Sequence, residues 1–174
     1  MEKWDVYDFE RQKKGFARSE DEKFLEGECR LVVHGILIND RWEMLIQKRS
    51  KKKKIMPSYW DLTWAGSVQA GEDSYQGLIR EAKEELGLEG ISWKRPDFTI
   101  NFPQGYDDFY IFRRNIDLDK LTIDLKEVEK VKWASLADIL KLIDKGEFIA
   151  YSESFIRLIF DVARTGEIYS EKLL

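Results

Sequence analysis

The stretch GSVQAGEDSYQGLIREAKEELGL, residues 66–88, decides the fold of this chain of 174 residues. Apolar side chains recur at helical spacing over residues 73–86, and Gly87 follows at the position where a glycine commonly ends a helix. We therefore predict a helix over 73–86, preceded by a glycine-punctuated loop over 65–71. Its apolar stripe would anchor it to a β-sheet and consists of Tyr75, Leu78, Ile79, Ala82 and Leu86.

Three carboxylates share another face of this predicted helix. At 100° per residue, Glu84 and Glu85 fall at about −60° and about +40° from Glu81, outside the apolar stripe. Arg80 precedes Glu84 by four residues and can therefore hold its carboxylate in position. Gly77 lies between the carboxylates one turn earlier, and we expect its missing side chain to leave room for a ligand to approach the acidic face.

Carboxylates at this spacing repel one another by about 3 kcal/mol per pair at an effective dielectric of 20. Where the face is partly enclosed, a hard divalent cation relieves the repulsion, and oxygen ligands favour Mg²⁺ or Mn²⁺. A zinc site is disfavoured because the chain contains one histidine and one cysteine. Taken alone, such a helix is most often a solvated charged helix without metal, so the spacing of the wider segment has to decide.

The wider segment has the spacing G-x5-E-x7-R-E-U-x-E-E-x-G-U, where U is a bulky aliphatic residue. It begins at Gly66, continues with Glu72 and closes with residues 80–88. This pattern resembles the signature box of the Nudix hydrolases, with Ala82 as its one departure. Because Ala82 lies on the apolar stripe, we expect the departure to affect packing rather than metal binding.

The resemblance implies a fold class and a set of site residues. The fold class is α/β (α+β), a Nudix-type αβα sandwich with a mixed β-sheet and an N-terminal β-hairpin. Glu81 would also be a candidate general base, Arg80 an orienting partner and Glu72 a structural partner that closes the loop. The metal ligands within the box would be Glu81, Glu84, Glu85 and the Gly66 carbonyl.

One further acidic ligand often comes from a loop beyond the box in this family. Glu127 is the candidate in this sequence, with Glu129, Asp107 and Asp108 as rivals. The general base is either Glu81 or an acidic residue outside the box. The implied reaction is metal-dependent attack of water on a diphosphate that is linked to a further moiety.

Basic and aromatic residues near the box are candidates for substrate binding. Lys48 and Arg49 end a predicted strand and could face the phosphates, whereas the run of residues 51–54 is typical of a solvated loop. Trp60 and Tyr106 could stack a nucleobase, although buried aromatic residues are more often part of a core.

The frame around the box resembles the isopentenyl diphosphate isomerase-like branch of the family. The resemblance lies in ECRLVVHGILIND, MLIQKRS and PSYWDLTWAGSV, at residues 28–40, 44–50 and 57–68. The isomerases use a cysteine and two histidines, which fall at Ala65, Ser67 and near Arg30 in this sequence. Because these groups are absent and the box is intact, we expect a hydrolase. Isomerase activity and a nucleotide-sensing module without catalysis stay as alternatives.

The chain is predicted to divide into an N-terminal hairpin and connector, residues 1–27, and a Nudix hydrolase domain, residues 28–174. The hairpin covers 4–16, and His34 lies mid-strand, where we expect it to be buried and hydrogen-bonded rather than catalytic. The remaining predicted strands are 31–38, 42–48, 60–64, 91–102, 109–115 and 128–133, and the remaining helices are 136–144 and 152–164.

Composition limits the function further. The 29 basic and 33 acidic residues give a net charge of −4, which excludes a generic basic nucleic-acid binder. The single cysteine favours a reducing compartment, and neither a membrane-spanning run nor a signal peptide is evident. We expect a cytoplasmic protein that acts on a small-molecule diphosphate, without a stable nucleic-acid partner. The apolar C-terminal helix covers the core in the simplest interpretation and also allows a homodimer.

Overall fold

A computed structural model gives the fold of residues 2–166, whereas residue 1 and residues 167–174, which end the predicted domain, lie outside the described part. The strands are β1 (Lys3–Tyr7), β2 (Lys13–Ser19), β3 (Arg30–Ile38), β4 (Glu43–Arg49), β5 (Trp60–Asp61), β6 (Trp64–Ser67), β7 (Phe98–Phe102), β8 (Gly105–Arg113) and β9 (Val128–Ser135). The helices are α1 (Ser74–Leu86), α2 (Leu136–Asp144) and α3 (Glu153–Thr165), with a 3₁₀ turn at Leu118–Lys120.

Within residues 2–166, a seven-stranded mixed sheet has the order β5-β4-β3-β8-β7, with β6 paired to β3 and β9 paired to β4. Strand β3 pairs in parallel with β8 and antiparallel with β6. It is buried along most of its length, which explains its nearly continuous apolar sequence. The register places Val33 opposite Gly66, so the first glycine of the box lies beside the centre of the sheet.

Helices cover both faces of the sheet, which confirms the predicted αβα sandwich. On one face, α1 contributes Leu78, Ala82 and Leu86 to a core that includes Val33, Leu45 and Trp64. On the other face, α2 and α3 contribute Ile139, Ile156, Ile159 and Phe160 to a second core that includes Ile36, Met44 and Ile46. Most of the apolar side of α3 is therefore packed within the chain, as the simplest interpretation of this helix expected.

Several predicted strand boundaries were wrong. Residues 91–97 are not a strand, because Pro96 lacks the N–H that a ladder needs, and β7 begins at Phe98. Strand β8 starts at Gly105 rather than at residue 109, since a Cβ at Gly105 would lie 2.0 Å from the Arg30 carbonyl oxygen of the parallel neighbour. The predicted strand 60–64 is divided into β5 and β6, and β6 extends to Ser67 through its pairing with β3.

The N-terminal hairpin was predicted correctly, but it is longer than expected because β2 continues to Ser19. It docks on the sheet through two backbone hydrogen bonds of 2.8 Å between Tyr7 and Cys29. At its tip, Arg11 has a φ of +62° and forms an ion pair with Asp108, whose side chain is fully buried. Among the described residues, no helix is long and apolar enough to cross a membrane.

Candidate metal centre

Local capping sets the bounds of the helix that carries the carboxylates. The Asp73 side chain accepts a hydrogen bond from the Gln76 backbone N–H, and the Gln76 side chain accepts one from the Asp73 N–H, each 2.8 Å long. At the other end, Gly87 has a φ of +64°, and its N–H donates to the carbonyls of Ala82 and Lys83. The helix therefore begins after Asp73 and ends at Leu86, where the sequence predicted it.

Two glycines let the box fold tightly onto itself. A Cβ at Gly66 would lie 2.0 Å from Cδ of Glu81, so the Glu81 carboxylate lies directly against the backbone of β6. A Cβ at Gly77 would lie 2.8 Å from Cγ2 of Val68. The expectation that Gly77 leaves room for a ligand was wrong, because Val68 occupies that space.

Arg80 closes the box through its guanidinium group. It donates to both carboxylate oxygens of Glu72, over 2.8 and 3.1 Å, and to the Ser67 carbonyl, over 2.9 Å. Glu72 also accepts a 2.9 Å hydrogen bond from the Gln69 N–H. These contacts give Glu72 the loop-closing geometry expected from the resemblance, and they fix Arg80 beside the acidic face.

The same guanidinium holds two of the candidate metal ligands. Its Nη1 donates to Glu81 over 2.7 Å and to Glu84 over 2.9 Å, the second being the contact expected four residues along the helix. The side chain of Glu84 is 52% exposed, whereas Glu81 is buried. The carboxylates therefore do not share one environment, because Glu84 reaches solvent whereas Glu81 lies against the backbone of β6.

We expect Arg80→Lys to lower the free energy of unfolding by about 2 kcal/mol, because an ammonium cannot reproduce the bidentate contact with Glu72 while also reaching Glu81. Urea denaturation measures this loss. The matched control is Arg157→Lys on α3, where the side chain is 53% exposed and forms only a 3.4 Å contact with Glu153, so a loss below 0.5 kcal/mol is expected. Equal losses in the two variants would contradict a closing role for Arg80.

Glu81 and Glu85 form a buried pair of like charges. Burial raises the pKa of Glu81 to about 7, against the opposing effect of Arg80. Burial and the neighbouring charge of Glu81 raise the pKa of Glu85 to about 8, against the ammonium of Lys53 and the amide of Gln47. Both carboxyl groups are therefore destabilised as anions when no metal offsets their charge.

Gln47 is a site residue that the sequence analysis missed. Its Nε2 donates to Glu85 over 3.0 Å, and the Ala65 N–H approaches the same carboxylate oxygen at 3.4 Å. Its Oε1 is buried and has no hydrogen-bond partner among the described residues. The signal that could have found it is an uncharged polar side chain directly after the apolar run Met44–Ile46 of β4.

The loop before β9 contacts the end of α1 and carries Glu127. The Asp124 N–H donates to the Glu85 carbonyl over 3.1 Å, and the Glu127 carboxylate forms an ion pair with Lys53, the same ammonium that lowers the pKa of Glu85. Glu129 also stays a rival, since its Oε2 is buried without a hydrogen-bond partner in the described part of the chain.

The other two rivals belong to separate networks. Asp107 lies 2.6 Å from Nδ1 of His34. Asp108 accepts hydrogen bonds from Ser74 and Thr99, each 2.6 Å long, besides its ion pair with Arg11. Both carboxylates are therefore held away from Glu81 and Glu85 by partners of their own.

His34 is buried and hydrogen-bonded, as expected. Its Nε2 lies 3.3 Å from the hydroxyl of Tyr151, which also donates to Asp61 over 3.2 Å. The imidazole stacks on Phe109 with ring centroids 4.7 Å apart. These contacts tie the segment before α3 to the sheet.

The residues of the acidic face fit a hard divalent cation, although within residues 2–166 no three histidine, cysteine or acidic side chains are already arranged to hold one. Arg80 and Lys53 hold the carboxylates as ion pairs instead. The fit is indicated by the unpartnered Oε1 of Gln47 and by the close approach of Glu81 to Gly66. The available donors are all oxygen atoms, which suits Mg²⁺ or Mn²⁺.

The candidate substrate residues at the strand ends are partly engaged in the described structure. Lys48 lies 3.8 Å from Glu129, and Arg49 donates to Asp61 over 3.3 Å and to the Ile55 carbonyl over 3.0 Å. Trp60 is 7% exposed, and the Lys132 ammonium lies 4.4 Å from the centre of its ring. Lys48 is thus freer to meet a phosphate than Arg49, and little of the Trp60 ring is open to a base.

Tyr106 is placed differently from the expectation that it stacks a nucleobase. It is 6% exposed, its hydroxyl donates to the Asp8 carbonyl, and it accepts a 3.0 Å hydrogen bond from the Arg11 N–H. The Tyr106 ring belongs to the core on the α1 face of the sheet. The residue therefore anchors the N-terminal hairpin.

We expect Tyr106→Phe to lower the free energy of unfolding by about 1 kcal/mol, because two hydrogen bonds to the hairpin are lost while the ring stays packed. Chemical denaturation and steady-state kinetics check this together. Activity within twofold of the wild type is expected. A rise in KM without any loss of stability would instead indicate that the Tyr106 hydroxyl contacts the substrate.

Comparisons with known proteins show the family and the fold of this chain. The NUDIX domain family matches residues 29–153. An uncharacterised Nudix hydrolase of Listeria monocytogenes is 35% identical over 170 residues, which cover 97% of this chain and 99% of the relative. An isopentenyl-diphosphate Delta-isomerase of Shigella flexneri is 31% identical over 121 residues, 66% of each chain. A crystal structure from Deinococcus radiodurans has a similar fold, with a TM-score of 0.75 at 24% identity, covering 90% of this chain and 98% of that one.

Proposed function

Because this chain belongs to the Nudix hydrolase family, we propose that it is a Mg²⁺-dependent pyrophosphohydrolase that cleaves the diphosphate linkage of a nucleoside diphosphate derivative or a similar small molecule. The observation that carries this proposal is the burial of Glu81 and Glu85 side by side, with Glu81 pressed against the backbone of Gly66. Two buried carboxylates that repel each other favour the binding of a divalent cation far more than a solvated helix does.

Each residue of the site has a role in this proposal. The metal, Mg²⁺ or Mn²⁺, would supply charge neutralisation of the diphosphate and a lowered pKa of a bound water. Glu81 accepts a proton as the candidate general base, with Glu129 as its rival outside the box. Arg80 orients Glu81 and Glu84, and Lys48 binds a substrate phosphate, joined by Arg49 if Asp61 releases it. The residues that would hold the metal are Glu81, Glu84, Glu85, Glu127 and the Gly66 carbonyl.

Isomerisation is the second candidate, because an isopentenyl-diphosphate isomerase is among the relatives. The three aligned positions lack the side chains that the isomerases use. Ala65 and Ser67 cannot provide the thiol and imidazole of those enzymes, and the Arg30 guanidinium lies over the Trp4 ring, 5.0 Å from its centre. Hydrolysis is therefore the better supported reaction.

The proposal extends to the setting in which the protein works. A cytoplasmic location is supported by the single cysteine, Cys29, which is buried and free. The net charge of −4 supports a small-molecule substrate over a stable nucleic-acid partner. A homodimer stays a proposal without an assigned surface. Residues 1–27 are proposed as an accessory segment of the hydrolase domain at 28–174, since the family match begins at residue 29.

A substrate panel tests the proposed function. The protein is incubated with Mg²⁺ and a set of nucleoside diphosphate derivatives, and release of nucleoside monophosphate is followed for the wild type and for Glu84→Gln. Turnover by the wild type alone supports the proposal. Dimethylallyl diphosphate formed from isopentenyl diphosphate would support the isomerase, and tight nucleotide binding without turnover would support the sensing module.

A further inference from the structure

The loop between β4 and β5 carries four consecutive lysines, at positions 51–54. Its base is fastened to the segment before β9, because the Ser50 N–H donates to the Glu127 carbonyl over 2.9 Å and the Ser50 hydroxyl donates to the Leu125 carbonyl over 3.1 Å. The Lys53 N–H in turn donates to the Ser50 carbonyl over 3.2 Å. The loop is therefore held beside the acidic residues of the candidate metal centre.

Lys53 differs from its three neighbours in this loop. Among these four lysines, all of which the structure describes, Lys53 alone is not exposed. Its ammonium forms an ion pair with the Glu127 carboxylate, and its charge lowers the pKa of the buried Glu85. In contrast, Lys54 is 85% exposed and lies 3.8 Å from Glu20. One side chain of a basic run thus points into the site.

We propose that the Lys53 ammonium is a built-in counter-cation that pairs with Glu127 in the metal-free chain, within electrostatic reach of Glu85, and is displaced when a divalent cation binds. The proposal rests on the proposed function, because it takes Glu127 and Glu85 as metal ligands. A single positive charge partly offsets the two carboxylates and keeps them together. A divalent cation offsets them fully and competes with Lys53 for the carboxylate oxygen of Glu127. Lys53 is thus a positioning residue that sets the affinity of the metal.

Competition between Lys53 and the metal predicts that metal affinity rises when Lys53 is removed, whereas a merely structural ion pair does not. Removing Lys53 takes away a competitor and a like charge, so the metal should bind more tightly even though the metal-free fold loses an ion pair. A partly exposed ion pair is worth up to about 1 kcal/mol, which corresponds to a change of about threefold to fivefold in a dissociation constant.

The experiment measures Mn²⁺ affinity by titration calorimetry at fixed ionic strength for the wild type, Lys53→Met, Lys53→Arg and Lys52→Met. We expect Lys53→Met to bind Mn²⁺ about threefold to fivefold more tightly. Lys53→Arg keeps the charge and should stay within twofold of the wild type. Lys52→Met removes the same charge from an exposed position of the same loop and should also stay within twofold. Equal affinities of Lys53→Met and Lys52→Met would overturn the proposal.

A second measurement uses the wild type and does not depend on the folding of a variant. Lysines are acetylated with a limiting amount of an amine-reactive acetylating reagent, with and without Mn²⁺. The modified peptides are then quantified by mass spectrometry. Labelling of Lys53 should rise at least about threefold with Mn²⁺ while labelling of Lys52 stays constant. Binding of Mn²⁺ without this rise would overturn the role of Lys53 alone. A wild type that binds no Mn²⁺ would overturn the proposed function together with it.

Discussion

Glu85→Gln is expected to lower kcat by about a hundredfold to a thousandfold at saturating Mg²⁺ while leaving the fold intact. The substitution removes one charged metal ligand, and a single group of this kind contributes several kcal/mol to transition-state stabilisation. The fold should survive because the new amide has the same shape, and the unpartnered Oε1 of Gln47 can accept a hydrogen bond from it. Steady-state kinetics and a thermal melt measure the two parts of this expectation.

A matched control separates the lost ligand from the lost charge. Glu89→Gln removes one carboxylate just beyond the end of α1, where the side chain is 71% exposed and pairs with Lys83 over 2.9 Å. Its kcat should stay within about twofold of the wild type, because an exposed charge outside the site contributes little. Near-normal turnover by Glu85→Gln would show that the metal centre is assigned to the wrong residues.

Local sequence spacing predicted the parts of the site that lie on α1. Helix periodicity fixes which side chains share a face, so the contact of Arg80 with Glu84 and the burial of Leu78 and Ala82 followed from it. Ile79 shows the limit of that rule. It lies at about 160° from Glu81, at the edge of the apolar stripe, and is 37% exposed.

The residues of other strands and loops that act on the α1 carboxylates could not be predicted from local sequence spacing. Gln47 contacts Glu85, and the charge of Lys53 lowers the pKa of Glu85, because strand pairing between distant parts of the chain places β4 and its loop near α1. Tyr106 shows the opposite error. Its place in a turn-rich segment made Tyr106 a candidate for stacking a nucleobase, yet the N-terminal hairpin covers it here.

The predicted strands failed where a tertiary contact overrode the local pattern. The apolar character of Phe109 and Ile111 marked the centre of β8, but its start at Gly105 is set by the close approach of Arg30 on the parallel neighbour. Similarly, Ser67 belongs to a strand because it pairs with Val32, although glycine and alanine around it are typical of a loop. The fold class was predictable because it depends on the average pattern rather than on such pairings.

Without metal, the free energy of unfolding is expected to fall by about 3 kcal/mol or more between pH 5 and pH 8.5. The folded state raises the pKa of Glu81 from 4.5 to about 7 and that of Glu85 from 4.5 to about 8. Between pH 4.5 and the raised pKa of each group, the folded chain keeps a proton on that carboxyl group that the unfolded chain has released. Stability therefore decreases as the pH rises through this window, and below about pH 4.5 the penalty disappears.

The Glu81→Gln/Glu85→Gln variant isolates this effect from other groups that titrate in the same window. Burial lowers and Asp107 raises the pKa of His34, with a net rise, so His34 also loses its stabilising charge as the pH increases. The double variant keeps that contribution and removes the carboxylates. It should be more stable than the metal-free wild type at pH 8.5, and its remaining slope measures the other titrating groups.

Saturating Mg²⁺ should offset most of this pH-dependent loss of stability in the wild type alone. At a hundredfold excess over its dissociation constant, a ligand that binds only the folded state stabilises it by about 2.7 kcal/mol, or roughly 5–10 °C in Tm for a chain of this size. Because bound carboxylates must be deprotonated, this gain grows with pH. Urea denaturation at several pH values, with EDTA or with Mg²⁺ at matched ionic strength, measures both effects. If Mg²⁺ stabilised the wild type and the double variant equally at pH 8.5, Glu81 and Glu85 would not be metal ligands, and the buried pair would need another explanation.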